Sequence, residues 1–149
     1  MPSLHHTGLT VRDLARSLAF YRDVVGMEVV FEQEKQGGYL AAIVGYPGAH
    51  VRMAHLVFPS DSHRLELFQY VSPEPRGRPG EPRDVGITHV CLRVGDIDAL
   101  AERLEAAGAA FFSRPVAVDT GANSGGRGVY LRDPDGIVLE LFQPPAEGS

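Results

Sequence analysis

The chain has 149 residues, 44% hydrophobic and 22% charged, the balance of a single globular domain of ordinary size. Its formal net charge of -5 gives no global attraction to phosphate backbones or anionic membranes, so neither a nucleic acid nor a membrane is an expected partner. The one cysteine, Cys91, cannot form an internal disulfide, and no apolar run approaches the ~20 residues that span a bilayer. Met1 to Thr7 carries no signal-peptide pattern, so the expected location is the cytoplasm.

In chain order, His6-Thr-Gly-Leu-Thr-Val-Arg-Asp13 reads as a strand ending at a helix N-cap. A helix is expected over Leu14 to Val25, where apolar residues recur at three- and four-residue spacing up to Gly26. Strands are expected at Met27–Glu32, Gly38–Val44, Val51–Phe58 and Arg64–Tyr70. Ser72 to Asp84, rich in proline and glycine, reads as a linker.

The same order then begins again. His89-Val-Cys-Leu-Arg-Val-Gly-Asp96 shares H-x-x-L-x-V-x-D with the first segment, and a helix over Ile97–Ala107 stops at Gly108. Further strands are expected at Ala110–Arg114, Val116–Asp119, Gly128–Arg132 and Val138–Phe142, the last after the turn Asp133-Pro-Asp-Gly136. Thr120 to Gly128, with Gly125 and Gly126, reads as a flexible loop near the mouth of a cleft. Each half closes on L-E-L-F-Q, at Leu65 to Gln69 and at Leu139 to Gln143.

Strand alternation assigns faces. Leu9 and Val11 point toward the first helix and His6, Gly8 and Thr10 away from it; Val90, Leu92 and Val94 likewise oppose His89, Cys91 and Arg93. Glu66 and Glu140 oppose their flanking leucines, so each half presents one histidine and one glutamate on the face away from its helix. If the two sheets curve around a shared cleft, two imidazoles and two carboxylates form a site for zinc, nickel, cobalt, manganese or iron(II). Arg93 shares the face of His89 and is a candidate grip for an anionic substrate, with Arg127 a second. His5 alternates to the other face and is assigned no chemistry; His50, His55 and His63 lack a counterpart in the repeat, which favours a structural reading, with His55 the one of them placed to line the cleft.

The stretches H-T-G-L-T-V-R-D-L-A-R-S-L-A-F-Y-R-D-V-V-G, H-V-C-L-R-V-G-D and Y-L-R-D-P-D-G-I-V-L-E-L resemble the vicinal oxygen chelate superfamily. Its members include glyoxalase I, methylmalonyl-CoA epimerase, extradiol dioxygenases, fosfomycin resistance thiol transferases and bleomycin-binding proteins. The resemblance spans roughly residues 4–143. It implies an α+β fold of two βαβββ modules, 4–71 and 86–143 joined by 72–85, whose U-shaped mixed sheets surround a metal-binding cleft in a single domain, 1–149. It places the four ligand positions on His6, Glu66, His89 and Glu140. It further implies a lyase or isomerase acting by proton transfer beside a carbonyl, with Glu140 as the base and Glu66 as the opposing acid or base, in a homodimer. An iron(II) ring-cleaving dioxygenase using His6, His89 and Glu140, and a metal-free binding protein of the bleomycin-resistance type, are the alternatives. Glyoxalase I commonly has arginine where this chain has Thr10, which puts glutathione in doubt as co-substrate.

Overall fold

The two L-E-L-F-Q segments recur because each does the same structural work: its leucines enter a core, its glutamate faces away, and its glutamine caps a helix. In the computed structural model, which describes residues 1–146, the chain divides into two compact units, Met1–Gly77 and the part from Arg78 onward. The first comprises β1 (His6–Thr10), α1 (Leu14–Leu18) continuing as a π-helical segment (Ala19–Val25), β2 (Glu28–Gln36), α2 (Gly38–Val44), β3 (His50–Val57) and β4 (Arg64–Ser72). Its sheet runs β1-β4-β3-β2, with β1 parallel to β4 and the other pairs antiparallel.

One face of this sheet carries Leu9, Val11, Ala54, Leu56, Leu65 and Leu67, all buried, and α1 packs against β3 and β4. Full burial of a side chain such as Leu56 or Leu67 is worth about 1.5–3 kcal/mol. A one-residue slip of β4 would send Leu65 and Leu67 to the other face and Glu66 into the core, so the burial pattern fixes the register that positions the glutamate. Asp13 accepts from the Arg16 N–H at 3.1 Å, the N-cap expected there. The Leu14 N–H donates to Gln69 Oε1 at 2.8 Å, tying the helix start to the end of β4.

The segment Gly38–Val44, expected as a strand, is the helix α2. Gly37 and Gly38, both at φ 64°, turn the chain out of β2, and Gly45 at φ 75° ends the helix with its N–H on Ala41 O. Leu40, Ala41 and Val44 pack on Ala49, Val51, Met53, Phe68 and Tyr70 while Tyr39 and Ile43 are exposed, which is helical rather than alternating spacing. A seven-residue apolar run bounded by glycines fits either structure by composition, and the positive-φ glycines decide. Because Met53 and Phe68 lie on the Glu66 side of the sheet, α2 covers the far end of the face that carries the candidate donors.

The second unit comprises β5 (Val90–Arg93), α3 (Ile97–Ala106), β6 (Ala110–Phe111), β7 (Val116–Ala117), β8 (Arg127–Arg132) and β9 (Val138–Gln143). Its sheet runs β5-β9-β8-β6 with β7 also on β8, and β5 is parallel to β9. Leu92, Val129, Leu131, Leu139 and Leu141 are buried together with Ile97, Leu100 and Leu104 of α3, which packs on β9. Asp96 caps α3 through the Ala99 N–H at 3.0 Å, and the Ile97 N–H donates to Gln143 Oε1 at 2.8 Å, repeating the first unit contact for contact. Two mixed sheets with few helices make an α+β fold, as expected. The strands β6 and β7 are shorter than the sequence indicates.

The loop after β7 is not loose. Val118 and Gly126 bond through Val118 N–H to Gly126 O at 2.9 Å, and the Gly125 N–H reaches Val118 O at 2.8 Å. A Cβ on Gly126 would lie 2.7 Å from the Phe142 ring and 2.8 Å from Gln143 O. Glycine is there for close approach rather than mobility, and Gly126→Ala is expected to cost about 1–3 kcal/mol, read as a lower urea midpoint at unchanged slope. An unchanged midpoint would show that the loop yields freely.

Candidate functional site

In the first unit, β1 and β4 pair so that Gly8 lies beside Glu66, which sets His6 two residues away on the same face. His6 Nε2 is 3.6 Å from Glu66 Oε1. The other carboxylate oxygen, Oε2, lies 2.5 Å from Nε2 of His55, the residue opposite Glu66 on β3. That His55 nitrogen is buried and makes no aligned hydrogen bond. Phe31, opposite His55 on β2, packs on its ring at 5.3 Å. His55, read as structural from the sequence, therefore stands at the site.

His5 is also closer to this chemistry than alternation implied. The strand begins only at His6, so His5 escapes the alternation, and its Nδ1 lies 2.8 Å from Nδ1 of His6. This contact fixes the His6 ring with Nε2 toward Glu66. The remaining histidines pair locally, His63 Nε2 with Thr7 Oγ1 at 2.9 Å and His50 Nε2 with Glu34 Oε1 at 2.6 Å.

The second unit repeats the geometry. Cys91 pairs with Glu140 across β5 and β9, and His89, two residues earlier, brings Nε2 to 3.1 Å from Glu140 Oε2. Opposite Glu140 on β8 is Tyr130, whose hydroxyl is 3.2 Å from His89 Nε2 and whose ring packs on the imidazole at 4.8 Å. Burial and the Glu140 charge raise the Tyr130 phenol above its ordinary range, and burial first, then Glu140, pushes the Cys91 thiol up to about 11. Both neighbours of Glu140 are therefore neutral near pH 7.

Arg93 is exposed and shares the alternation of Cys91. Arg127 does not reach this face: it alternates with Gly128 and Tyr130 onto the helix side, where Nη1 and Nη2 grip Asp98 of α3 at 2.5 and 2.9 Å. The pair holds the Asp98 carboxyl below its usual range.

Within the first unit a pocket of about 500 Å³ is lined by Thr10, Tyr46, Tyr70, Glu74 and Arg76 among others. Thr10 shares the face of His6 and Tyr70 that of Glu66, so the pocket lies farther along the donor-bearing face. The Tyr46 and Tyr70 rings meet edge to face at 6.0 Å. Sequence reading missed these tyrosines because their relation depends on α2 being a helix.

Among the described residues no three His, Cys, Asp or Glu side chains cluster closely enough to hold a metal ion; the four donors expected from the sequence come as one His–Glu pair per unit, His6 with Glu66 and His89 with Glu140. No helix among them is long and apolar enough to cross a membrane.

Residues 3–141 match the model of the Glyoxalase/Bleomycin resistance protein/Dioxygenase superfamily. The chain belongs to that superfamily. It is 30% identical over 147 residues to a 2-epi-5-epi-valiolone epimerase of Actinomyces sp, covering 97% of this chain and 80% of that protein. It is also 30% identical over 143 residues to a probable lactoylglutathione lyase of Vibrio parahaemolyticus, covering 93% and 88% respectively. Among solved structures, a glyoxalase family protein from Bacillus cereus superposes with a TM-score of 0.87 at 22% identity, covering 98% of this chain and 96% of that one. Epimerase-type and lyase-type enzymes are thus both among its relatives.

Proposed function

We propose that the protein is a divalent-metal-dependent isomerase or lyase that moves a proton beside a carbonyl on a small substrate with vicinal oxygens. The observation that carries this reading is the repetition of one His–Glu pair, at equivalent positions and on the same face, in each unit. His6, Glu66, His89 and Glu140 would hold the ion, zinc, nickel, cobalt, manganese or iron(II) all suiting two imidazoles and two carboxylates. The fit is supported by Nε2 of both histidines being turned toward a carboxylate, and by the buried His55 Nε2 that lacks an aligned partner beside Glu66. When bound, the metal supplies stabilisation of the negative charge that builds on the carbonyl oxygen as the proton leaves.

The chain's own residues do the rest. Glu140 takes the proton, Glu66 serves on the opposite side, and Arg93 attracts an anionic group of the substrate. The Tyr46 and Tyr70 rings and hydroxyls suit the C–H faces and hydroxyls of an oxygenated substrate, and Thr10 in place of arginine weighs against glutathione. The reading includes a homodimer in the cytoplasm and requires the two pairs to act on one ion.

Elemental analysis of the purified protein tests it. About one divalent ion per chain, held more weakly on substitution of His6, Glu66, His89 or Glu140, is the expected result and would justify screening α-keto hemithioacetals, acyl thioesters and polyhydroxylated ketones. A protein that takes up no added metal would overturn the reading and leave a binding protein of the bleomycin-resistance type.

A further inference from the structure

The two donor histidines are equivalent in the repeat but differ in what lies behind the nitrogen that faces the glutamate. His6 turns Nε2 toward Glu66, 3.6 Å from Oε1, and its other ring nitrogen, Nδ1, lies 2.8 Å from Nδ1 of His5. The two rings meet edge to face, 5.1 Å between centroids at an angle of 82°. Neighbouring side chains within a strand point to opposite faces, but β1 begins only at His6, so His5 folds back onto its neighbour's ring. In the second half Thr88 precedes His89, and the Tyr130 hydroxyl that approaches His89 stands 3.2 Å from Nε2, the nitrogen already turned to Glu140.

We propose that His5 is a positioning residue for the metal site: its Nδ1 accepts the Nδ1–H of His6, which leaves the lone pair of His6 on Nε2, the nitrogen turned toward Glu66. The inference rests on the metal-site reading above and adds to it a residue that touches neither ion nor substrate. A neutral imidazole carries one proton on two nitrogens, so a hydrogen bond that keeps the proton on Nδ1 decides which nitrogen binds an ion. Glu66 does not hold that proton on Nε2, because 3.6 Å is beyond hydrogen-bond length, whereas the 2.8 Å contact with His5 is within it. The opposite sense, His5 donating to His6, would put the His6 proton on Nε2 and leave that nitrogen no lone pair for a metal. A ligand histidine that donates its second N–H to a partner keeps its ring orientation and gains basicity, and losing the partner costs ~10–100-fold in metal affinity. His5 is exposed, so water takes over part of its role and the effect belongs at the lower end of that range.

The test is binding of Zn2+ alone, by competition with a chelating dye, in wild type, His5→Leu, His5→Asn and His6→Ala, with far-UV circular dichroism confirming the fold. Asparagine places an acceptor, Oδ1, where imidazole Nδ1 lies, so His5→Asn is expected to keep most of the affinity, while His5→Leu, which offers no acceptor, should lose about 10-fold. In a His6→Ala background, His5→Leu should cost nothing further, because its effect passes through His6. Nitrogen–proton correlation NMR of the histidine rings in the Zn2+-loaded protein supplies the signature that a merely structural role would not move: the His6 ring proton is expected on Nδ1. The proposal is overturned if His5→Leu binds as wild type does, if His5→Asn falls as far as His5→Leu, if His5→Leu costs the same factor without His6, or if the His6 proton is found on Nε2. Wild type that takes up no Zn2+, or that is indifferent to His6→Ala, overturns the metal-site reading and this inference with it.

Discussion

Glu140→Gln is expected to lower proton exchange at the carbon beside the substrate carbonyl by about 10²–10⁴-fold, the usual worth of a positioned general base. Glutamine keeps the size of the side chain and one oxygen, so the fold survives and metal affinity weakens without vanishing. It has no proton-accepting carboxylate, so exchange with deuterated solvent stops even where substrate binds. The placement favours Glu140 because it is half-buried, at 23% exposure, beside a neutral thiol and a neutral phenol, with His89 at 3.1 Å. Solvent deuterium incorporation followed by NMR, on a substrate found by the screen above, checks the prediction. Full exchange in a variant that retains its metal would show that the base lies elsewhere.

The repeat carried most of what could be read from the chain. H-x-x-L-x-V-x-D and L-E-L-F-Q placed a strand, a capped helix and a closing strand in each half, and Asp13, Asp96, Gly26 and Gly108 sit where those caps require. Strand alternation put His6, Glu66, His89 and Glu140 on the faces away from the helices because it depends only on neighbouring residues. It fails where neighbours in space are distant in sequence. That His55 falls opposite Glu66, and Tyr130 opposite Glu140, is a fact of register between strands, fixed by which leucines enter the core. The role of Gln69 and Gln143 was invisible for the same reason: each reaches a helix start far back in the chain. The segment Gly38–Val44 was misjudged because its valine and isoleucine are strand formers, whereas its bounding glycines at positive φ close off a helix. Arg127 lay one residue out of phase with the donor face, and its bidentate partner Asp98 sits on α3 rather than on a strand.

His89→Ala is expected to reduce metal affinity more than the ~10–100-fold that losing a partner behind a ligand costs, since it removes a ligand itself. It leaves Glu140 with no imidazole at 3.1 Å and Tyr130 with only the Phe112 ring, at 6.3 Å, to pack on, yet His89 is 40% exposed, so the fold should tolerate the change. Loss of metal with native circular dichroism is the expected result, and activity should vanish with the metal. Glu66→Gln provides the contrast that separates reaction types. In an iron(II) ring-cleaving dioxygenase built on His6, His89 and Glu140, that substitution would spare both metal and turnover. In a four-donor isomerase or lyase it weakens metal binding, because a neutral amide oxygen replaces an anionic ligand. Measuring both variants against Zn2+ and Fe2+ therefore decides between them: loss with His89→Ala alone points to three donors and oxygen chemistry, and loss with both points to four donors and proton transfer.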